Sequence, residues 1–275
     1  MDKIDRLVWA ESVSILSYGV RIGIRANKPG ILQQVMPFCP PGWKSSSSPI
    51  VDRMYSIIAG GNAPKRNIRL FNIVYANANR IARTPELSQA IDAFESDLQL
   101  YVAEIAPRRV FVHAGVVGWR GQAIVIPGRS FSGKSTLTAE LVKAGMTYYS
   151  DEYAVLDAQG RVHHYARPLS IRENGYLEKP KKYKVETFGG RPGSKPLPVG
   201  LVLVSKYKPG AKWRPRQLSA GEGALALLSN TVSARREPKA TLATLQKVVA
   251  RAPVVKGERG EAQQIIDYVL AELGD

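Results

Sequence analysis

The segment from Gly128 to Ser135, Gly-Arg-Ser-Phe-Ser-Gly-Lys-Ser, constrains the fold more than any other part of the chain. It matches the phosphate-binding loop pattern of Gly, four variable positions, Gly, Lys and then Ser or Thr. The apolar run from Ala123 to Ile126 predicts a buried strand before the loop, and Ser135 to Ala144 predicts a helix after it. The alternative is a Gly/Ser-rich turn that happens to precede a helix. The filled motif and both flanks favour the phosphate loop.

Such a loop directs its backbone N–H groups and the N-terminus of its helix at a polyphosphate. Lys134 would reach the outer phosphates, and the Ser135 hydroxyl would ligate Mg²⁺. The chain is therefore expected to bind a nucleotide together with Mg²⁺. The remaining contacts to the nucleotide are expected from Gly128, Arg129, Ser130, Ser132, Gly133 and Thr136.

Two adjacent carboxylates, Asp151 and Glu152, follow a short predicted strand at Thr147 to Ser150. A strand–helix–strand unit is almost always a right-handed crossover with parallel strands, so this strand should end at the same edge of the sheet as the phosphate loop. One carboxylate there could hold Mg²⁺, and the other could accept the proton of an attacking hydroxyl. An acidic turn without function is the alternative, and the neighbouring loop favours a site.

His113 lies in the apolar run from Arg109 to Val117, which is followed by a turn at residues 118–121. If this run forms a hairpin with the strand before the loop, His113 should lie beside Ile126 and Pro127, at the mouth of the loop. A histidine in an apolar strand is more often a core residue with satisfied hydrogen bonds, but this position makes His113 a candidate catalytic residue.

A long amphipathic helix is predicted from Thr84 and Pro85, a cap and a first helical residue, to Ile105. We place a domain boundary after it, so that residues 1–107 form an N-terminal α+β domain and residues 108–275 form the phosphate-loop domain. In the first domain a helix is expected from Asn27 to Met36. In the second, the stretch from Lys179 to Ser194 is expected to be a mobile substrate-facing loop or an unstructured insertion.

The chain has 39 Lys and Arg against 23 Asp and Glu, which gives a net charge of +16. This balance favours an anionic partner, such as a nucleotide, an acidic peptide, nucleic acid or a membrane surface. The basic residues are spread out and no nucleic-acid-binding module is recognisable, so a solvated basic face explains most of them. The single cysteine, Cys39, excludes an intramolecular disulfide. No signal peptide or membrane-spanning run is visible, and a cytoplasmic location is expected.

The order of these features resembles the HPr kinase/phosphorylase family, and more closely the HPr-kinase-like serine kinases found with peptide-modification systems such as lasso-peptide biosynthesis. The features are His113, the loop from Gly128 to Ser135, the acidic pair and a Leu-Ser-Ile-Arg segment ending at Arg172. The resemblance covers about residues 108–205. It implies an α/β fold with a P-loop kinase domain of the HPr kinase/PEP carboxykinase type, which uses ATP and Mg²⁺.

The resemblance also implies roles for individual residues. Asp151 matches the catalytic base of the family, and Glu152 occupies its second acidic position. His113 matches a histidine that precedes the loop, and Arg172 matches the arginine of the family signature Leu-Glu-Ile-Arg-Gly. Two positions depart from the family signature, because Ser170 stands in place of its Glu and Glu173 in place of its Gly. These departures argue against phosphorylase activity and against HPr as the substrate.

The sequence as a whole predicts an ATP-dependent kinase that phosphorylates a serine of a peptide or small protein. The catalytic residues would be Asp151, His113, Lys134 and Arg172, and Ser135, Asp151 and Glu152 would hold Mg²⁺. The basic charge favours an acidic substrate, and the family makes a homo-oligomer an open alternative. A small-molecule kinase and a nucleotide-binding regulatory module without transfer activity are the competing hypotheses.

Overall fold

The computed structural model describes residues 7–61, 70–129, 132–172 and 180–274. The chain divides into two compact units, Met1–Pro107 and Arg108–Asp275. Each unit combines helices with a β-sheet, so the fold is mixed α/β.

The first unit is a six-stranded sheet with the strand order β3-β1-β2-β4-β5-β6. Strands β2 and β4 run parallel, and the other neighbours run antiparallel. The long helix α2 packs against β5 and β6. The elements are β1 Glu11–Ser17, β2 Val20–Ala26, α1 Ile31–Val35, β3 Lys44–Ser45, β4 Arg53–Ile58, β5 Asn72–Ala76, β6 Asn79–Thr84 and α2 Leu87–Ile105.

The predicted helix starts in this unit are wrong by a few residues. The first helix begins after Gly30, because the Asn27 side chain does not cap it and instead accepts a hydrogen bond from the Ala59 backbone N–H at 2.8 Å. The second begins after Glu86, and Thr84 ends strand β6, a strand that the sequence did not predict. The Asn27 side chain makes a tertiary contact and the Thr84 hydroxyl makes a turn contact with the Glu86 N–H, and local capping rules include neither.

The second unit is built on an eight-stranded sheet with the main order β11-β10-β7-β8-β14-β16-β15, and β9 also pairs with β7. A separate ribbon is formed by β12 and β13. The strands are β7 Val110–Trp119, β8 Gln122–Pro127, β9 Thr147–Ser150, β10 Tyr153–Leu156, β11 Arg161–His163, β12 Leu169–Ile171, β13 Lys181–Tyr183, β14 Leu197–Tyr207, β15 Arg216–Gln217 and β16 Val254–Arg259. The helices are α3 Lys134–Lys143, α4 Ala220–Leu228, α5 Pro238–Val249 and α6 Gln263–Glu272.

Strand β7 joins the two sides of this sheet, because it pairs antiparallel with β8 on one side and with β9 and β10 on the other. Strands β8 and β9 are therefore parallel to each other, as predicted, but β7 lies between them. Their carboxyl ends meet at the same edge, since Val116 of β7 faces both Val125 of β8 and Ser150 of β9. The hairpin turn is the two-residue Arg120–Gly121 with positive φ at both residues, a conformation that matches the strand twist.

The alternation of apolar side chains along the central strands buries both faces of the sheet. Ile124 and Ile126 pack with α3 and α6 in one core cluster, and Ala123 and Val125 pack with α4 and α5 in another. The second unit is therefore a three-layer arrangement of helices, sheet and helices. Helix α4 begins with a capping box, in which the side chains of Ser219 and Glu222 each accept a hydrogen bond from the backbone N–H of the other residue.

Part of the stretch from Lys179 to Ser194 is ordered, although it was expected to be a mobile loop or insertion. Residues Lys181–Tyr183 form β13, and Val185–Phe188 form a 3-10 helix whose Val185 is buried. Lys179 itself lies outside the described residues. In the part of the chain that the structure describes, no helix is both long enough and apolar enough to cross a bilayer.

The close packing of β7 on α3 predicts that Gly115→Ala will be destabilising. A Cβ at Gly115 would overlap with Thr138 Oγ1, which is buried and has no hydrogen-bond partner among the described residues. Overpacking of this kind costs about 1–3 kcal/mol, so we expect a lower midpoint in thermal unfolding. The double variant with Thr138→Ala should recover most of the loss. Equal unfolding midpoints for wild type and Gly115→Ala would contradict this packing.

Candidate functional site

The segment predicted to be a phosphate loop follows the carboxyl end of β8, and α3 begins after it at Lys134, one residue earlier than predicted. Gly133 has a φ of 79°, a left-handed conformation that a glycine adopts without strain. A Cβ at Gly128 would lie 2.6 Å from Ser132 Oγ, so a larger residue there would require the Ser132 side chain to move. Arg129 and Thr136 are exposed, Ser132 and Ser135 are half-buried, and Ser130 lies outside the described residues.

Lys134 is the first residue of α3, and only 8% of its surface is exposed. Burial lowers the pKa of its ammonium group, and the nearby charges of Glu152 and Asp151 oppose this effect. No carboxylate of residues 7–61, 70–129, 132–172 or 180–274 lies within ion-pair distance of it. The positive end of the helix dipole also opposes a cation at this position. The site therefore holds a buried positive charge whose natural complement is an anion.

The acidic pair emerges beside the loop, and its two members have different environments. Asp151 is 4% exposed, and its oxygens accept hydrogen bonds from the Tyr148 hydroxyl at 3.0 Å and from the Ser170 backbone N–H at 2.9 Å. Burial raises its pKa, an effect that these hydrogen bonds reduce. The Tyr148 hydroxyl also lies 2.8 Å from the carbonyl oxygen of Arg167, so its one hydrogen has two acceptors within reach.

Glu152 is more accessible, with 38% of its side chain exposed. Its Oε1 lies 3.3 Å from Nε2 of His113, and Lys134 is a second nearby cationic group. Burial would raise the pKa of Glu152, but the hydrogen bond from His113 and the charges of His113 and Lys134 outweigh it, so the pKa is lowered. Environments that push two adjacent carboxyl pKa values apart give one a proton-accepting role and keep the other ionised.

His113 lies close to its predicted position, but the predicted register is wrong. Pro127 pairs with Ala114, and the Gly128 N–H donates to the His113 carbonyl at 3.2 Å, so His113 faces the first loop residue. The difference arises because the hairpin turn has two residues rather than four. On the other side of β7, His113 pairs with Tyr153 of β10, which brings it close to Glu152.

The Leu-Ser-Ile-Arg segment is also brought to the acidic pair. It forms β12, and the backbone N–H of Ser170 is the group that contacts Asp151. Arg172, two residues later, is exposed, and Glu173 lies outside the described residues. The structure thus brings together Lys134, Asp151, Glu152, His113 and the backbone of Ser170.

Two contacts of the site were not predicted. The hydroxyl of Tyr148, a residue of β9, donates a hydrogen bond to Asp151. Nη2 of Arg259, a residue of β16, donates to the Gly133 carbonyl oxygen at 2.7 Å. Tyr148 precedes Asp151 by three residues, so a tyrosine in the strand before the acidic pair was the available signal. Arg259 is 126 residues from Gly133, and no local pattern connects the two.

The described residues can be tested against the expected Mg²⁺ and nucleotide. They contain no group of three or more His, Cys, Asp or Glu side chains that could hold a metal. Mg²⁺ usually binds through one or two carboxylates together with phosphates of the substrate, so Ser135 with Glu152 and Asp151 fits an ion that arrives with a nucleotide. The buried Lys134 and the left-handed Gly133 at the start of α3 fit its phosphates.

Comparison with known protein families finds none that matches this chain, and comparison with curated proteins finds no match either.

The environment of Lys134 predicts that Lys134→Met will stabilise the ligand-free protein. The substitution removes a buried charge that both desolvation and the helix dipole disfavour, so the melting temperature should rise by about 2–4 °C for each kcal/mol gained. The same variant should lose the thermal shift that Mg-ATP gives the wild type. Scanning fluorimetry with and without the nucleotide measures both effects.

Lys143→Met is the matched control, because Lys143 lies at the other end of the same helix and forms an exposed pair with Glu140. It should keep the full nucleotide-induced shift. A Lys134→Met protein that melts lower than the wild type and still responds to Mg-ATP would refute an anion-binding role for Lys134.

Proposed function

We propose that the second unit is a P-loop kinase domain that transfers the γ-phosphoryl group of ATP to a serine hydroxyl of a peptide or small protein. The observation that carries this proposal is the buried Lys134 cation at the start of α3, facing two carboxylates of unequal pKa. Phosphoryl transfer depends mainly on positioning and charge neutralisation, and a small set of such groups is sufficient for it.

Each residue of the site has a proposed task. Lys134 and the backbone N–H groups of the loop would neutralise and orient the outer phosphates. Ser135 and Glu152 would hold Mg²⁺, with Asp151 close by. The metal, when bound, would neutralise charge on the phosphates of ATP. Arg172, exposed at the end of β12, would add positive charge from the side of the acceptor.

Asp151 is the proposed proton acceptor, because burial raises its pKa while that of Glu152 is lowered. A raised pKa makes a carboxylate a better base at neutral pH. Each oxygen of Asp151 accepts one hydrogen bond and keeps a second lone pair. His113 would hold Glu152 in place through their contact at 3.3 Å.

The substrate class is proposed from charge and from the resemblance. The net charge of +16 favours an acidic acceptor, and the resemblance to kinases of peptide-modification systems makes a lasso-peptide precursor a candidate. Incubation with γ-labelled ATP and Mg²⁺, using serine-containing peptides that differ only in acidic residues, tests the transfer. Label on serine supports the kinase. Tight binding of ATP without transfer or hydrolysis would favour a nucleotide-binding regulatory module. The burial of Asp151 agrees with this alternative.

Asp151→Asn is the sharpest test of the proposed base. The amide oxygen can still accept from Ser170, and its NH₂ can donate to the Tyr148 oxygen, whose hydrogen then serves the Arg167 carbonyl. The variant should therefore fold and bind Mg-ATP as the wild type does. Loss of a general base should lower the rate of transfer by about 10²–10⁴-fold.

The stability of this variant has a defined sign. Because the pKa of Asp151 is raised in the folded state, its ionised form costs stability at neutral pH, and the cost disappears as the pH falls through that pKa. Asp151→Asn should thus melt no lower than the wild type at neutral pH. Full activity of Asp151→Asn would remove Asp151 from the role of base.

Glu152→Gln should instead raise the Mg²⁺ concentration that half-maximal transfer requires.

A further inference from the structure

A cavity of about 430 Å³ opens beside the phosphate loop, on the side away from the acidic pair. Its walls come from Gly133, from Thr136 and Glu140 of α3, and from the ends of two strands at Tyr207 and Arg259. The start of α6, including Gln263 and Ile266, completes it. Its volume lies within the range of small-molecule binding sites.

The cavity wall and the loop are in direct contact. Arg259 is 3% exposed, and its Nη2 donates to the carbonyl oxygen of Gly133 at 2.7 Å. A Cβ at Gly133 would lie 2.7 Å from the same nitrogen and 3.4 Å from Cβ of Tyr207. A ligand whose phosphates occupy the loop therefore has this cavity next to it.

The order of strands sets the direction in which such a ligand lies. From β8, which leads into the loop, the acidic pair lies toward β7 and β9, and the cavity lies toward β14 and β16. Glu152 and Lys134 mark the first side, and Tyr207 and Arg259 mark the second. A nucleotide with its terminal phosphate toward the carboxylates would extend its other end into the cavity.

The chemistry of the lining suits the uncharged end of a nucleotide better than its phosphates, because the one cation among its described residues, Arg259, already donates to the Gly133 and Gly260 carbonyl oxygens. Glu140 and Glu261 present carboxylates, which repel phosphate and accept hydrogen bonds from ribose hydroxyls or an exocyclic amine. Tyr207 and Ile266 supply apolar surface for a flat base, and the Arg259 guanidinium lies 5.4 Å from the centre of the Tyr207 ring.

We infer that this cavity binds the base and ribose of the nucleotide whose phosphates occupy residues 128–135. The inference rests on the proposed function and extends it, because it assigns the nucleoside to named residues outside the loop motif. It also assigns Arg259 a positioning role, since one guanidinium joins the nucleoside cavity to the carbonyl that precedes α3.

Isothermal titration of the full chain with two ligands tests the inference, and it measures binding rather than catalysis. Mg-ATP has a nucleoside, and Mg-tripolyphosphate has only phosphates. Gln263→Trp should fill the cavity from the first turn of α6, and Tyr207→Ala should remove its apolar wall. Both variants should weaken Mg-ATP by about tenfold or more, which corresponds to about 1.4 kcal/mol, and leave the affinity for Mg-tripolyphosphate unchanged.

Leu270→Trp is the matched control, because it places the same side chain on an exposed position of α6 that does not line the cavity. It should bind both ligands as the wild type does. Unchanged affinity of Gln263→Trp and Tyr207→Ala for Mg-ATP would overturn the inference, and so would an equal loss for both ligands. Failure of wild-type protein to bind either ligand would overturn the proposed function itself, and this inference with it.

Discussion

The hydrogen-bond register of strand β7 is the constraint on which the candidate site depends. This one strand faces β8 on one side and β9 and β10 on the other, so it fixes where three separate segments of the chain end. A slip of one residue would turn every side chain of a strand to the opposite face. The two-residue turn at Arg120 and Gly121 fixes the register of β7 against β8.

The electrostatics of the site follow from this geometry. The strand ends bring Lys134, Asp151 and Glu152 into one region, in which Lys134 and Asp151 are buried and their charges interact strongly. The cation loses solvation, one carboxyl is buried deeply enough for its pKa to rise, and the other is kept ionised by His113 and Lys134. A buried charge without a direct partner costs stability, and proteins retain such groups mainly where they bind or react.

Local sequence rules predicted the elements that local interactions determine. The strand before the loop, the helix after it and the parallel direction of β8 and β9 were all visible as patterns. The same rules placed Lys134 and the acidic pair at one edge, because crossover connections have a fixed hand. The mixed α/β class followed from the alternation of these elements.

The features that could not be predicted from the sequence are those determined by contacts between distant residues. Asn27 has the local signature of a helix cap, yet its side chain pairs across the sheet with Ala59. Strand β6 was not predicted because its sequence has no apolar run, and the strand packs only partly against the core. Arg259 reaches the loop from the far end of the chain, and the burial that separates the pKa values of Asp151 and Glu152 exists only in the folded protein.

The Tyr148 hydroxyl has one hydrogen and two acceptors, Asp151 Oδ1 and the Arg167 carbonyl oxygen. While Asp151 is ionised, that hydrogen is best directed at the carboxylate. Once Asp151 is protonated, the acid can become the donor to the Tyr148 oxygen, and the hydroxyl can rotate toward Arg167. Arrival of a proton is then accommodated by reversing the direction of two hydrogen bonds, with no displacement of heavy atoms, so that the carboxyl keeps its hydrogen-bond partners in both protonation states.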